Sequence, residues 1–127
     1  MAVEFLREPD HELTTLVASG PVLDGEFGDA LTRFYATAPT RFLLWDLSNA
    51  DLTGVSADKL RMFVSKGAKL GSQRAGGRTA VVAPHDVAFG YGRMSEAFMV
   101  SEKAAFDFRV FRTKGEARSW LLEADNT

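Results

Sequence analysis

The chain predicts an α/β domain built on a five-stranded mixed sheet with four helices, in the order ββαβαβαβα. Three observations carry this prediction. Residues 42–45 and 79–83 are continuous apolar runs, the pattern of interior parallel strands covered on both faces. Segments of helical period lie between and after them. A turn-linked pair of strand-like segments opens the chain. Strands alternating with helices of about ten to fifteen residues imply a parallel sheet with right-handed crossovers.

The elements follow in order. Val3, Phe5 and Arg7 face one way, and Glu4, Leu6 and Glu8 the other. Pro9-Asp10-His11-Glu12 supplies turn chemistry and residues 13–19 are rich in β-formers, so the pair reads as an antiparallel hairpin closed by Gly20-Pro21. Leu23, Phe27, Ala30, Leu31, Phe34 and Ala38 then share one helical stripe. Asp24, Glu26 and Asp29 lie near its start, where the helix dipole favours acids, and Pro39 stops it. The strand at 42–45 is expected to end in Asp46, with a polar loop after it. A second helix opens at about Ser56, with Leu60, Phe63, Val64 and Gly67 inward and Lys59, Met62, Lys66 and Lys69 outward. Residues 71–78 (GSQRAGGR) read as a flexible basic loop. Pro84 closes the strand at 79–83, and a third helix starts near Asp86 with Val87, Tyr91, Met94 and Phe98 in one narrow stripe. Residues 106–111 alternate, Phe106, Phe108 and Val110 against Asp107 and Arg109, which suits an edge strand. Thr113-Lys114-Gly115-Glu116 is a capping box that opens a last helix burying Ala117 with Trp120 or Leu121.

Composition bounds the function classes. The 127 residues, 46% hydrophobic and 25% charged, make one domain over 1–127, with no repeat or linker. At 13.9 kDa, folding is expected to reduce an accessible surface of about 20,000 Å² to about 6,700 Å², enough burial for a core without metal or disulfide staples. With no cysteine, thiolate metal sites, disulfides and cysteine nucleophiles are ruled out. With only His11 and His85, neither metal nor cofactor is expected. No apolar run reaches a membrane span and the start lacks the layout of a signal peptide, so the expected compartment is the cytoplasm. Residues 1–58 hold three basic side chains against ten acidic ones, and residues 59–127 hold twelve against seven. The second half can therefore meet an anionic partner, and peripheral membrane contact stays open; nucleic acid is not expected.

No nucleophile with a neighbouring base emerges from the sequence, so no catalytic residue is assigned. A small enzyme using His85 with Asp86 or Asp46 is a remote alternative. The telling segment is WDLSNADLTGVS, residues 45–56. It carries Asp46, Asp51 and Gly54 in the loop, with Thr53 and Ser56 as hydroxyls before a helix. Ser56 is the better cap, and either hydroxyl could accept a phosphate that a helix N-terminus would welcome. Gly90 and Gly92 inside the third helix suggest a close approach there. Phe89 and Met62 fall on the polar sides of their helices, which points to a hydrophobic ligand, a protein partner or a second copy of the chain.

With Asp51-Leu52-Thr53-Gly54-Val55 between a strand and a helix, the element order resembles the STAS domain. The pieces WDLSNADLTGVSADKLR, RTAVVAPHDVAFGYGRM and FRVFRTKGEARSWL resemble the bacterial SpoIIAA-like (STAS/CRAL-TRIO-like) family over about residues 4–122. The resemblance implies two themes. One is a phospho-switch in which Asp51, Thr53, Gly54 and Val55 match the acceptor loop and Thr53 takes the acceptor's place, with Leu52 where that loop has a first Ser. The other is an apolar site for a lipid-like molecule, which Phe89, Tyr91, Met94 and Met62 would suit in composition; with His85, Gly90 and Arg93 they make up the candidate ligand or partner surface. The expected function is a non-enzymatic regulatory or binding module.

Overall fold

The computed structural model describes residues 1–37 and 39–123. Its element order is β1 (Ala2–Glu8), β2 (Leu13–Pro21), α1 (Glu26–Ala36), β3 (Phe42–Asp51), α2 (Ala57–Leu70), β4 (Arg78–Val82), α3 (Asp86–Ser101), β5 (Asp107–Phe111) and α4 (Lys114–Glu123). The strands lie in the order β1-β2-β3-β4-β5, the first pair antiparallel and the others parallel. This is the expected five-stranded mixed sheet with four helices. The expectation for Ala38 falls outside the described residues, as does the end of the domain at 124–127.

Because the crossovers all step the same way across the sheet, their helices share a face. Leu16, Ala18, Leu43, Trp45 and Val81 pack there with Phe27, Leu31 and Phe34 of α1, Leu60 of α2 and Ala88 of α3. The alternate residues Leu13, Phe42, Leu44, Ala80 and Val82 meet Ala117 and Leu121 of α4 on the other face. Period-two alternation along β3 thus serves two cores, which explains why its first four residues are all apolar. The accessible surface is 6547 Å², close to the value expected for this mass.

The structure corrects several local readings. Asp46 does not end its strand: β3 continues to Asp51 and pairs with Ser19, Gly20 and Pro21 of β2 after a bulge. There Leu47 and Ser48 oppose the single residue Ala18, and Asp46 Oδ1 accepts from the Ser48 N–H (3.0 Å) and hydroxyl (2.6 Å). Leu23 is 66% exposed instead of joining the inner stripe. The reason is that Gly25, at φ 86°, is the N-cap and α1 starts only at Glu26, leaving Leu23 before the helix. On α3 the sheet-facing stripe is Ala88, Gly92, Ser95 and Met99, so Val87 lies at the surface. Phe89 is half-buried against the core, with the Arg112 guanidinium 3.9 Å from its ring centre.

The segment at 71–78 is no flexible basic loop. Gly71–Arg74 forms a 3₁₀ turn, and Arg74 is 5% exposed at the N-terminal ends of the strands. The last helix opens as expected: the Thr113–Glu116 box forms, and Ala117 and Leu121 are buried. Of the two glycines read as a close approach in α3, Gly92 packs on Val110 but Gly90 faces open space.

One ion pair ties the two ends of the described chain. Arg118 on α4 makes a two-pronged bond to Glu8 on β1, at 2.7 and 3.0 Å. Those bonds hold the Glu8 carboxyl below its ordinary 4.5. A lowered folded-state value means that the pair's stabilisation is complete above that ordinary value and is lost as pH falls through the folded one. Both groups are partly solvated, so the contribution is at most about 1 kcal/mol. Urea midpoints should place Glu8→Gln below the parent at pH 7, with the gap narrowing steadily as the pH is lowered below 4.5; a gap independent of pH would sink this account.

Candidate functional site

The C-terminal ends of the parallel strands, where open α/β sheets place ligands, are built here from unequal strands. β4 ends at Val82 opposite Asp46, so the last five residues of β3 pair only with β2. The space beside them is roofed by α2 and α3. Two features that share lining residues lie at this end of the molecule. One, under α2 and α3, is a small, partly open cavity of about 40 Å³, lined by Trp45, Leu47, Leu52, Tyr91, Gly92 and neighbours. The other is an open groove of about 330 Å³ between the entry to α1 and the outer side of α2, with Val22, Leu23, Val55 and Met62 among its walls.

Phe27, Leu60 and Phe63 belong to both. The rings of Phe27 and Phe63 lie 5.3 Å apart, each edge-on or nearly so to Trp45 at 5.5 and 5.9 Å. Such contacts add about 0.5–1.5 kcal/mol per pair beyond area burial. The two rings and Leu60 thus stand where the groove and the cavity meet. Phe63 is only half-buried, so its ring already faces the groove.

The 51–56 loop frames the site. Asp51 repeats the Asp46 device: its Oδ1 accepts from the Thr53 N–H (2.9 Å) and hydroxyl (2.7 Å), which holds its carboxyl below the ordinary value. The turn drives Leu52 inward to the cavity and Val55 to the groove, while Thr53 and Gly54 stay exposed. Tyr91 donates its hydroxyl to the Val55 carbonyl, locking the loop to α3. Ser56 caps α2 by accepting from the Lys59 N–H at 3.1 Å.

The residues singled out from sequence do not form one patch. Met62, 64% exposed, stands on the groove rim, and Tyr91 lines the cavity. Met94 packs, half-buried, against the main core. Arg93 is exposed and pairs with Glu96 at 3.1 Å, whose other oxygen accepts from the Val110 N–H of edge strand β5. His85 is exposed at the N-cap of α3, Gly90 is exposed, and Phe89 lies under Arg112. Asp86 bonds Arg112 at 2.8 Å and Asp46 bonds Ser48, so neither carboxylate orients His85 among the described hydrogen bonds.

Sequence reasoning missed the groove itself. Phe27, Leu60 and Phe63 read as plain core from their spacing. The signal that could have pointed to it is Leu23 beside Gly25, an apolar side chain just ahead of a glycine at which α1 starts late. The chain matches no protein-family model and no curated protein. No helix among the described residues is long and apolar enough to cross a membrane.

Proposed function

We propose that this protein is a cytoplasmic, non-enzymatic binding module that takes a small hydrophobic molecule into the groove between α1 and α2. One observation carries the reading: an open, mostly apolar groove shares Phe27, Leu60 and Phe63 with a smaller apolar cavity beside the sheet. At about 330 Å³ the groove lies at the lower end of the roughly 300–1,000 Å³ typical of small-molecule sites. Exposed Leu23 and Met62 on its rim would be covered by the occupant. A SpoIIAA-like, STAS-type identity is supported by the ββαβαβαβα order, with three crossover helices on one face of the sheet.

Native mass spectrometry of protein purified from cells, set beside its denatured mass, tests this reading. A retained apolar adduct, or a melting temperature raised by 1-decanol, is the expected result. Neither adduct nor shift would end it.

Exposure of Thr53 favours a second reading, a phospho-switch. A phosphate on its hydroxyl would face the Asp51 carboxylate that now holds it, breaking a turn whose neighbours Leu52 and Val55 wall the site. Phosphosite mapping after incubation with ATP and lysate of the source cells decides it. Modified Thr53 is expected, and an unmodified Thr53 beside a modified control protein overturns it.

A further inference from the structure

The groove is apolar inside, but its rim is charged. Lys59 and Lys66 stand on the outer side of α2, seven residues apart and so on one face, with Met62 between them. Lys66 Nζ donates to the Gly28 carbonyl of α1 at 3.2 Å, spanning the groove from one helix to the other. Lys59 makes no side-chain hydrogen bond or ion pair among the described residues, and it is exposed. Asp24, before α1, is the one carboxylate in the lining. Two ammonium groups against one carboxylate leave a net positive rim above an apolar trough.

Resting on the binding reading above, we infer that the occupant is an anionic amphiphile with an apolar tail. Its anionic head is held by Lys59 and Lys66 at the rim, and its tail lies along Met62 and Leu23 toward Phe63. The chemistry of each part selects its counterpart. An exposed ammonium contributes only about 0.2–1 kcal/mol to an ion pair, so the two lysines orient the molecule more than they hold it. Burial of the chain supplies the bulk of the affinity. The head stays in water, where a carboxylate or phosphate monoester is cheapest to leave, and no charge enters the core. The tail end meets Phe27, Leu60 and Phe63. A rotation of the half-buried Phe63 ring joins groove and cavity and brings the chain terminus against Trp45.

The test is calorimetric titration with four probes of equal chain length: decanoate, decyl phosphate, decanol and decylammonium. At low salt, one or both anions should bind about tenfold more tightly than decanol and decylammonium, and the advantage should shrink as salt screens the rim. Which anion binds tighter distinguishes a carboxylate head from a phosphate one. In Lys59→Glu/Lys66→Glu the preference for anions over decanol should disappear; Lys59→Gln, which leaves the Lys66 strap in place, should lose part of it. Equal binding of all four probes overturns this inference and leaves the apolar-ligand reading standing. Binding of none overturns both. Tail placement has its own readout: in a Trp120→Phe background, 10-bromodecanoate should quench Trp45 emission, and binding without quenching overturns the proposed path of the tail.

Discussion

Arg74→Met is expected to lower folding stability by about 3–4 kcal/mol, read as a shift of the urea midpoint at unchanged slope. Arg74 is 5% exposed, and no carboxylate bonds it among the described residues. Its guanidinium instead donates to the Tyr35 hydroxyl (3.0 Å), the Arg41 carbonyl (3.0 Å) and the Thr79 hydroxyl. The Phe34, Tyr35 and Phe106 rings lie 5.5, 5.8 and 4.8 Å from it. Two effects oppose each other. Burying a cation costs several kcal/mol, so a well-packed apolar replacement can be neutral when all partners leave together. Here the partners stay: methionine fills the volume, leaves the Tyr35 and Thr79 hydroxyls without the Arg74 donor, and leaves the Arg41 carbonyl with only the Arg78 N–H. Bonds to a charged group contribute about 1.5–3 kcal/mol each, so the unsatisfied partners outweigh the recovered desolvation. Arg74→Lys should lose almost as much, because one ammonium cannot reach three acceptors that a planar fork reaches. A loss under about 1 kcal/mol for either variant would mean that desolvation cancels the bonds.

The second large effect separates two glycines on one helix. Gly90 has open space where a Cβ would project, so Gly90→Ala should stabilise by about 0.5–1 kcal/mol through helix propensity. At Gly92 the same gain is overrun. A Cβ there would overlap Val110 Cγ2 and stand 2.8 Å from Val110 Cβ, on a side chain with little freedom to turn away. Gly92→Ala should therefore cost about 1–2 kcal/mol net and Gly92→Leu about 3 kcal/mol or more, since α3 must lift from β5. The double variant Gly92→Ala/Val110→Ala should recover part of the loss. Thermal melts of these four variants check the signs; with Val110→Ala alone added to close the cycle, strict additivity of the pair would refute the steric account.

Much of this was legible in the linear chain, for identifiable reasons. The four-residue apolar run before Asp46 marked an interior strand because two cores claim its alternate residues. Ser56 and Thr113 were readable as caps because capping is local, decided within three or four residues. The readings that failed all depended on partners distant in sequence. The basic look of residues 71–78 concealed Arg74, whose acceptors Tyr35 and Arg41 lie more than thirty residues earlier. The stripe of large residues on α3 was only partly right: Tyr91, Met94 and Phe98 pack half-buried against the core, but the most buried line runs through Ala88, Gly92 and Ser95, where Gly92 meets Val110.

The same division holds for the candidate site. Local pattern determined the number and order of elements, the inner face of α2, and the exposure of Met62 among its lysines, because periodicity and capping act over a turn or two. Tertiary structure alone decided that Leu23 and Met62 would line one groove, that Phe27, Leu60 and Phe63 would line both that groove and a cavity beside it, and that Lys66 would reach Gly28. A cavity is the volume that packing leaves between elements. It is set by the relative placement of helices and sheet, which no window of neighbouring residues encodes.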